Sequence, residues 1–297
     1  MFLINTLKGF FIGIALVVPG LSGSILALVM GLYEQLINAI SDFRKDIKKN
    51  LIFLAPIGLG AAIGILASAR IVLWLCQEYP LQAYLFFTGL VIGAYPLIFR
   101  KMRKTKFKPH YVLITALGFA FMFIISAIMD TGMERSHIAI ESLSSASDFG
   151  IVFAAGAISM SFMMIPGVSG SVVLMLLGQY GTVYNAVGMT LDLARYIISG
   201  NFDAAQHVFM TVLLVLPFGL GALIGIVFIA KILSFFLNRW EALVYYAVLG
   251  LVSSAVFLLV EESGLLQAYG GILPILIGAA LLVIGVLCTL FLDKTKE

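Results

Sequence analysis

The chain has 297 residues, 62% apolar and 11% charged, with 18 Lys and Arg against 15 Asp and Glu and a mean hydropathy of +1.11. Soluble domains carry about a quarter charged residues, so a soluble enzyme is excluded. A net charge of +3 is too small and too scattered to mark a nucleic-acid binder, and the composition is that of an integral membrane protein.

Residues 1–8 lead into an apolar stretch that runs past any small-residue cleavage site, so they are expected to belong to the mature protein. Residues 9–40 form one apolar region interrupted by Pro19-Gly20-Leu21-Ser22-Gly23-Ser24. As a single helix it would measure about 48 Å at about 1.5 Å per residue, against a hydrocarbon core of about 30 Å. Pro and two Gly also break helical continuity, and the region is predicted to be a re-entrant hairpin. Spans are predicted at 51–76, 80–99 and 110–129, followed by an acidic, Ser-rich extracytoplasmic loop at 131–149. A second hairpin at 150–189 carries Pro166-Gly167-Val168-Ser169-Gly170-Ser171, and spans at 206–230, 243–260 and 270–292 follow. Cys76 and Cys288 read as packing residues. His110, His137 and His207 lack ligand spacing, so neither metal nor cofactor is expected.

The two halves are a duplication. At the 147-residue offset that relates the Pro-Gly motifs, Gly31 matches Gly178, Tyr33 matches Tyr180 and Asn38 matches Asn185. Pro56-Ile57-Gly58-Leu59-Gly60-Ala61 recurs as Pro217-Phe218-Gly219-Leu220-Gly221-Ala222 at an offset of 161. The same offset carries Gly64 to Gly225, Arg70 to Lys231, Tyr84 to Tyr245 and Gly89 to Gly250. The change of offset places a 14-residue insertion between the two blocks of the second half.

Lys and Arg favour cytoplasmic loops. With a hairpin and three spans in each half, fifteen of the eighteen basic residues fall on one side, including Lys8, the group at 44–49, the cluster at 100–108, Lys231, Arg239, Lys294 and Lys296. An odd number of spans per half inverts the second repeat. The fold class expected is an all-α integral membrane protein of two inverted repeats, 1–130 and 150–297, each a re-entrant helical hairpin followed by three transmembrane helices, with both termini cytoplasmic.

Inverted repeats with interrupted helices are the architecture of secondary transporters. Non-helical backbone at membrane depth is tolerated only where protein or a polar cavity satisfies it. In each motif Pro removes a donor, the glycines expose N–H groups, and two hydroxyls follow at i and i+2, a donor set suited to a phosphate or carboxylate. The candidate anion-binding residues are Pro19, Gly20, Ser22, Gly23 and Ser24 with Pro166, Gly167, Ser169, Gly170 and Ser171. Arg70 and Lys231 stand at equivalent positions, as gateway cations for an anionic headgroup or as snorkelling side chains at span ends. Glu34 has no acidic counterpart, Gly181 standing in its place, and is a candidate to carry a coupling proton or to pair with a cation. Tyr33, Tyr180, Asn38 and Asn185 are polar lining or interface anchors. Gly58, Gly60, Gly64, Gly221 and Gly225 read as close helix packing.

The segment Val18–Ser24, followed by Met30-Gly31-Leu32-Tyr33-Glu34, and the second segment Ile165–Ser171 resemble the paired signatures of the polyprenyl-phosphate transporter family, over nearly the whole chain. The resemblance implies a translocase that returns undecaprenyl phosphate, a lipid carrier of cell-envelope synthesis, from the outer to the inner leaflet of the bacterial plasma membrane. The two motifs would then hold its headgroup. The chain has no nucleotide-binding loop, so the drive would be a coupling proton or cation, or the lipid's own gradient. Two other readings share the architecture, a transporter of a small soluble anion and a membrane phosphatase acting on polyprenyl diphosphate. A phosphatase needs a cation and a base beside its nucleophile. Gly23 and Gly170 stand where such an enzyme's motif carries Arg, and no Glu cluster lies near either hairpin.

Overall fold

The computed structural model describes residues 2–18, 22–103, 105–129, 138–265 and 272–294, and among these all regular structure is helical. The first half contains α1 (Phe2–Val17), α2 (Gly23–Val29), α3 (Tyr33–Ser41), α4 (Ile47–Glu78), α5 (Pro80–Ile92), α6 (Tyr95–Met102) and α7 (His110–Met129). The second contains α8 (Ala146–Met163), α9 (Gly170–Leu176), α10 (Tyr180–Ile198), α11 (Phe202–Val212), α12 (Val215–Glu262) and α13 (Ile272–Lys294). Five helical stretches among the described residues are long and apolar enough to cross a membrane, and seven when each bent helix pair counts as one span. The protein is thus a multi-span membrane bundle.

Each hairpin is interrupted twice, where the motif alone predicts one break. α1 stops at Val17 and α2 starts at Gly23, as α8 stops at Met163 and α9 starts at Gly170; the chain then bends by 112° between α2 and α3 and by 120° between α9 and α10. The bends fall at Gly31 and Gly178, with φ of 60° and 65°. L-residues with a Cβ are strained in that left-handed region.

Several predicted boundaries shift. The span foreseen at 80–99 is two helices, α5 and α6, broken at Gly93 and Ala94 and continuing to Met102. Pro56 lies inside α4 without ending it. α12 has 48 residues, about 72 Å at about 1.5 Å per residue, and Trp240 interrupts it with φ −139° and ψ 53°. The extra residues of the second half extend α10 to 19 residues against 9 in α3, and α11 stands where the first half has the turn after α3 and the start of α4. In the loop ahead of α8, the Ile140 N–H donates to Thr182 Oγ1 at 3.2 Å and the Leu143 N–H to the Met210 carbonyl at 3.0 Å. Ser145 and Asp148 then close a capping box on α8. His137 and Arg135 lie outside the described residues.

The chain forms two compact units, one of residues 1–124, 165–168 and 230–297, the other of 125–164 and 169–229. In the first, α1 packs on α4 through glycines set against backbone. A Cβ on Gly60 would lie 2.0 Å from the Thr6 carbonyl oxygen, one on Gly64 2.2 Å from that of Phe10, and one on Gly9 2.2 Å from that of Ile57. In the second unit, α8 meets the start of α12 in the same way. A Cβ on Gly221 would lie 2.0 Å from the Phe153 carbonyl oxygen, one on Gly225 2.0 Å from that of Ala157, and one on Gly156 2.3 Å from that of Phe218. Each of these partners sits at the repeat offset from its counterpart, so the duplication preserves one backbone contact after another. Gly58, grouped with these in the sequence, has nothing within 4 Å of its would-be Cβ.

The later helices of the first unit pack crosswise between halves. A Cβ on Gly89 of α5 would lie 2.1 Å from the Leu282 carbonyl oxygen of α13, and one on its equivalent Gly250 of α12 2.1 Å from the Thr115 carbonyl oxygen of α7. The Thr115 hydroxyl donates to the Tyr246 carbonyl at 3.0 Å, and Thr289 donates to the Leu90 carbonyl at 2.9 Å. These contacts leave no room for a methyl group. Gly60→Ala is expected to lower stability by about 1–3 kcal/mol through overpacking, whereas Gly58→Ala is expected to be neutral or to gain up to about 1 kcal/mol of helix propensity. Thermal unfolding in detergent, followed by size-exclusion chromatography, checks the pair, and equal shifts would contradict the packing.

Candidate functional site

The first hairpin's motif meets the second motif's opening residues inside the first unit. Ser22 caps α2 in extended geometry, with φ −95° and ψ 130°, and is only 2% exposed. Its hydroxyl does not cap the helix; it lies 2.6 Å from Ser24 Oγ. Ser24 Oγ donates to the Ile165 carbonyl at 3.1 Å. A hydroxyl has one proton to give, so Ser22 donates to Ser24 and Ser24 to Ile165, a directed relay that ends on the residue before Pro166. Pro166, Gly167 and Val168 are buried. Gly167 has φ 93°, and a Cβ there would stand 3.0 Å from the Leu251 carbonyl oxygen of α12. Two residues on, Ser253 accepts from the Tyr95 hydroxyl at 2.9 Å and donates to the Leu249 carbonyl at 2.7 Å. The neighbouring Ser254 hydroxyl is buried and has no partner among the described residues.

In the second unit, Ser169 caps α9 with φ −92° and ψ 128°, within a few degrees of Ser22, and pairs with Ser171 at 2.8 Å. Gly170 is buried against Ser159 and Met163. Both helices after the motifs have only seven residues, so attraction for an anion rests on local N–H and hydroxyl groups more than on a macrodipole.

A second polar cluster gathers around the outer arm of the first hairpin. Lys101 Nζ, on α6, donates to Glu34 Oε1 at 2.6 Å and to Glu241 Oε1 at 3.2 Å. The Tyr245 hydroxyl donates to the same Glu34 oxygen at 2.6 Å, and the Lys101 ammonium stands 5.6 Å from the Tyr245 ring centroid. Farther along α3, Asn38 accepts from the Ser234 hydroxyl at 2.9 Å. Side-chain exposures of 24% for Lys101, 36% for Glu34 and 37% for Glu241 make these half-buried ion pairs, less screened than a surface pair.

The remaining sequence candidates separate. Pro19 and Gly20 lie outside the described residues, as does the Arg70 side chain, although Arg70 falls within α4. Lys231 is exposed on α12. Tyr33 is buried with no partner for its hydroxyl among the described residues, whereas Tyr180 is half-buried and stacks on Tyr184 at 4.2 Å. Asn185 is half-buried on α10. Sequence reasoning found Glu34 but not its partners. Lys101 was absorbed into a basic cluster that sets topology, and Glu241 bordered a span without standing inside it. The available signal was a pair of acids, Glu34 and Glu241, flanking apolar stretches without counterparts in the other repeat. Among the described residues no group of three or more His, Cys, Asp or Glu is placed to hold a metal ion.

Comparison with known proteins places this geometry in context. The sequence model of a family described as undecaprenyl phosphate translocase-like (VCA0040-like) matches residues 12–268. A polyprenyl-phosphate transporter of Staphylococcus aureus is 29% identical over 257 residues, covering 86% of this chain and 84% of the relative. A polyprenyl-phosphate transporter of Vibrio cholerae is 28% identical over 254 residues, covering 81% and 71% respectively. No solved structure matches the chain significantly.

The backbone at Gly167 gives a direct test of this assembly. Gly167→Ala is expected to cost about 1–2 kcal/mol for the left-handed conformation, with further loss from crowding the Leu251 carbonyl. Gly150→Ala, with open space around its Cβ, serves as control in the same thermal measurement.

Proposed function

The chain belongs to the undecaprenyl phosphate translocase-like family, and from that membership we propose that it carries undecaprenyl phosphate, or a closely similar polyprenyl phosphate, from the outer to the inner leaflet of a bacterial plasma membrane. The chain is a transporter and not an enzyme, as its named relatives are. What carries the reading at residue level is the relay from Ser22 through Ser24 to the Ile165 carbonyl, which sets hydroxyls of the first motif against the backbone of the second.

A lipid monophosphate is amphipathic, so only its headgroup needs a polar path while the polyprenyl tail stays in lipid. The headgroup path uses Pro19, Gly20, Ser22, Gly23 and Ser24 on one hairpin and Pro166, Gly167, Ser169, Gly170 and Ser171 on the other, with Arg70 and Lys231 as gateway cations. The two halves form inverted repeats of one hairpin and three spans each, with both termini cytoplasmic. The excess of Lys and Arg on one side and the matched glycine contacts of α1 with α4 and of α8 with α12 support that arrangement. Binding exchanges hydrogen bonds: the phosphate oxygens replace the acceptors that the serine hydroxyls hold within the protein. Glu34 is the residue through which a proton or cation would couple.

Leaflet-resolved movement of undecaprenyl phosphate in proteoliposomes tests the reading, with inorganic phosphate release assayed in parallel. Wild type is expected to move the lipid without releasing phosphate. Ser22→Ala and Ser169→Ala are each expected to slow it about 10- to 100-fold, the range of a hydrogen bond to a charged group of about 1.5–3 kcal/mol. Folded protein that moves no lipid would sink the proposal, and phosphate release would favour the enzyme.

A further inference from the structure

The fold is duplicated, but the charge cluster on the first hairpin is not. At the repeat offsets Glu34 corresponds to Gly181, Lys101 to Glu262 and Glu241 to Pro80; only Tyr245, matched by Tyr84, is retained. The cluster joins three stretches of chain, since Lys101 on α6 holds Glu34 on α3 and Glu241 on α12. Packing does not require such an arrangement, because the second hairpin keeps its serine pair and its bend without it.

Its chemistry suits a phosphate monoester. Lysine is a compact point charge with three donors on a flexible stem, and at 24% exposure this one is accessible. The two carboxylate oxygens that share it lie within about 6 Å of each other, set by their distances of 2.6 and 3.2 Å from the same ammonium. The residue before Glu34 on α3 adds an unused donor: Tyr33 is 3% exposed, and its hydroxyl has no hydrogen-bond partner among the described residues. A phosphate monoester carries about −1.5 to −2 charges at neutral pH and three acceptor oxygens, enough to take the ammonium and an added hydroxyl together.

We propose that Lys101 is a headgroup-binding cation held in reserve by Glu34 and Glu241, and that the phosphate of a polyprenyl phosphate takes it from them. The inference rests on the transporter reading above and adds to it a residue and a coupling. Once the ammonium turns to phosphate, the bridge it makes from α6 to Glu34 on α3 and to Glu241 on α12 is broken. Loss of that bridge loosens the hold of α3 on α6 and α12, so headgroup binding moves the outer arm of the hairpin.

Competition fixes the sign of each substitution. Neutralising a carboxylate frees the ammonium for phosphate, whereas removing the ammonium removes the ligand's partner. A purely structural ion pair would weaken binding in both cases. The experiment is equilibrium binding of undecaprenyl phosphate to the full chain in detergent micelles, with undecaprenol as the phosphate-free control and inorganic phosphate as the tail-free one. Glu34→Gln and Glu241→Gln are expected to bind undecaprenyl phosphate several-fold more tightly than wild type, and Lys101→Met at least tenfold more weakly. Undecaprenol should bind all of them alike. Should Lys101→Met not fold, the direction of the Glu34→Gln change decides alone. Weaker binding by the carboxamide variants, or wild-type binding by Lys101→Met, overturns the proposal. The same ranking seen with inorganic phosphate but absent with the lipid assigns Lys101 to free phosphate and overturns the headgroup role. A wild-type chain that neither binds nor moves undecaprenyl phosphate overturns the transporter reading itself, whereas transport with binding indifferent to Lys101 overturns only this assignment.

Discussion

An interrupted helix in an apolar surrounding has no water to satisfy its free N–H and C=O groups, so every break must find partners inside the protein. That constraint organises what surrounds both Pro-Gly motifs. The Ile165 carbonyl, freed where α8 gives out, accepts the Ser24 hydroxyl. At Gly167 the backbone comes close to the Leu251 carbonyl, an approach that only a residue without Cβ makes at φ 93°. Even the sharp bends at Gly31 and Gly178 are closed internally, for the Leu32 N–H returns to the Ala27 carbonyl at 2.8 Å and the Gln179 N–H to that of Leu174 at 2.9 Å. Polar residues at these depths are hydrogen-bonding partners of the chain before they are partners of anything else.

Small residues do the complementary work between helices. Where lipid is as apolar as a leucine side chain, helices associate through close contact and not through burial from water. The glycines of α4 and of the first part of α12 bring backbone to backbone at positions the duplication has kept in register. Conserving three such contacts in each half constrains both helix pairs to one geometry. The charge cluster of Glu34, Lys101, Glu241 and Tyr245 obeys the opposite rule, since it occurs in one half alone. Both halves carry the Pro-Gly motif, its serine pair and the bend that follows; the unduplicated ion-pair cluster is what distinguishes the first hairpin from the second.

Much of this was legible in the residues. Apolar runs gave the helices, the paired Pro-Gly motifs gave the breaks, and the glycine series gave the helix contacts, because each is a local pattern with a local cause. Gly58 fell to the wrong class because spacing alone does not say which side of a helix meets a neighbour, and it faces open space. The bends at Gly31 and Gly178 were visible as matched glycines, but a matched glycine does not announce its φ. Lys101 was hidden for a different reason. In sequence it is one of six basic residues between 100 and 108, and charge counting treats them alike. Only the fold, which carries α6 to Met102, separates Lys101 by pairing it with two carboxylates distant in sequence. Long-range ion pairs have no sequence period, so no local reading finds them.

Ser22 and Ser24 of the first hairpin, and the Lys101 ammonium that holds its Glu34, share one property: they are already engaged. Ser22 gives its proton to Ser24, Ser24 gives its own to Ile165, and Lys101 is shared by two carboxylates. On the proposed reading, an anion arriving there does not fill an empty site; it displaces an acceptor that the protein supplied. Such exchange leaves few donors unsatisfied before or after, and the net free energy is the difference between two similar interactions, smaller than either. A carrier needs that modest difference. A site of bare donors would bind a phosphate tightly and keep it, whereas one that trades internal acceptors for the headgroup offers the same acceptors back when the headgroup leaves. On that reading, the energetic requirement that the backbone of an interrupted helix in lipid find internal partners is also what lets the cargo go.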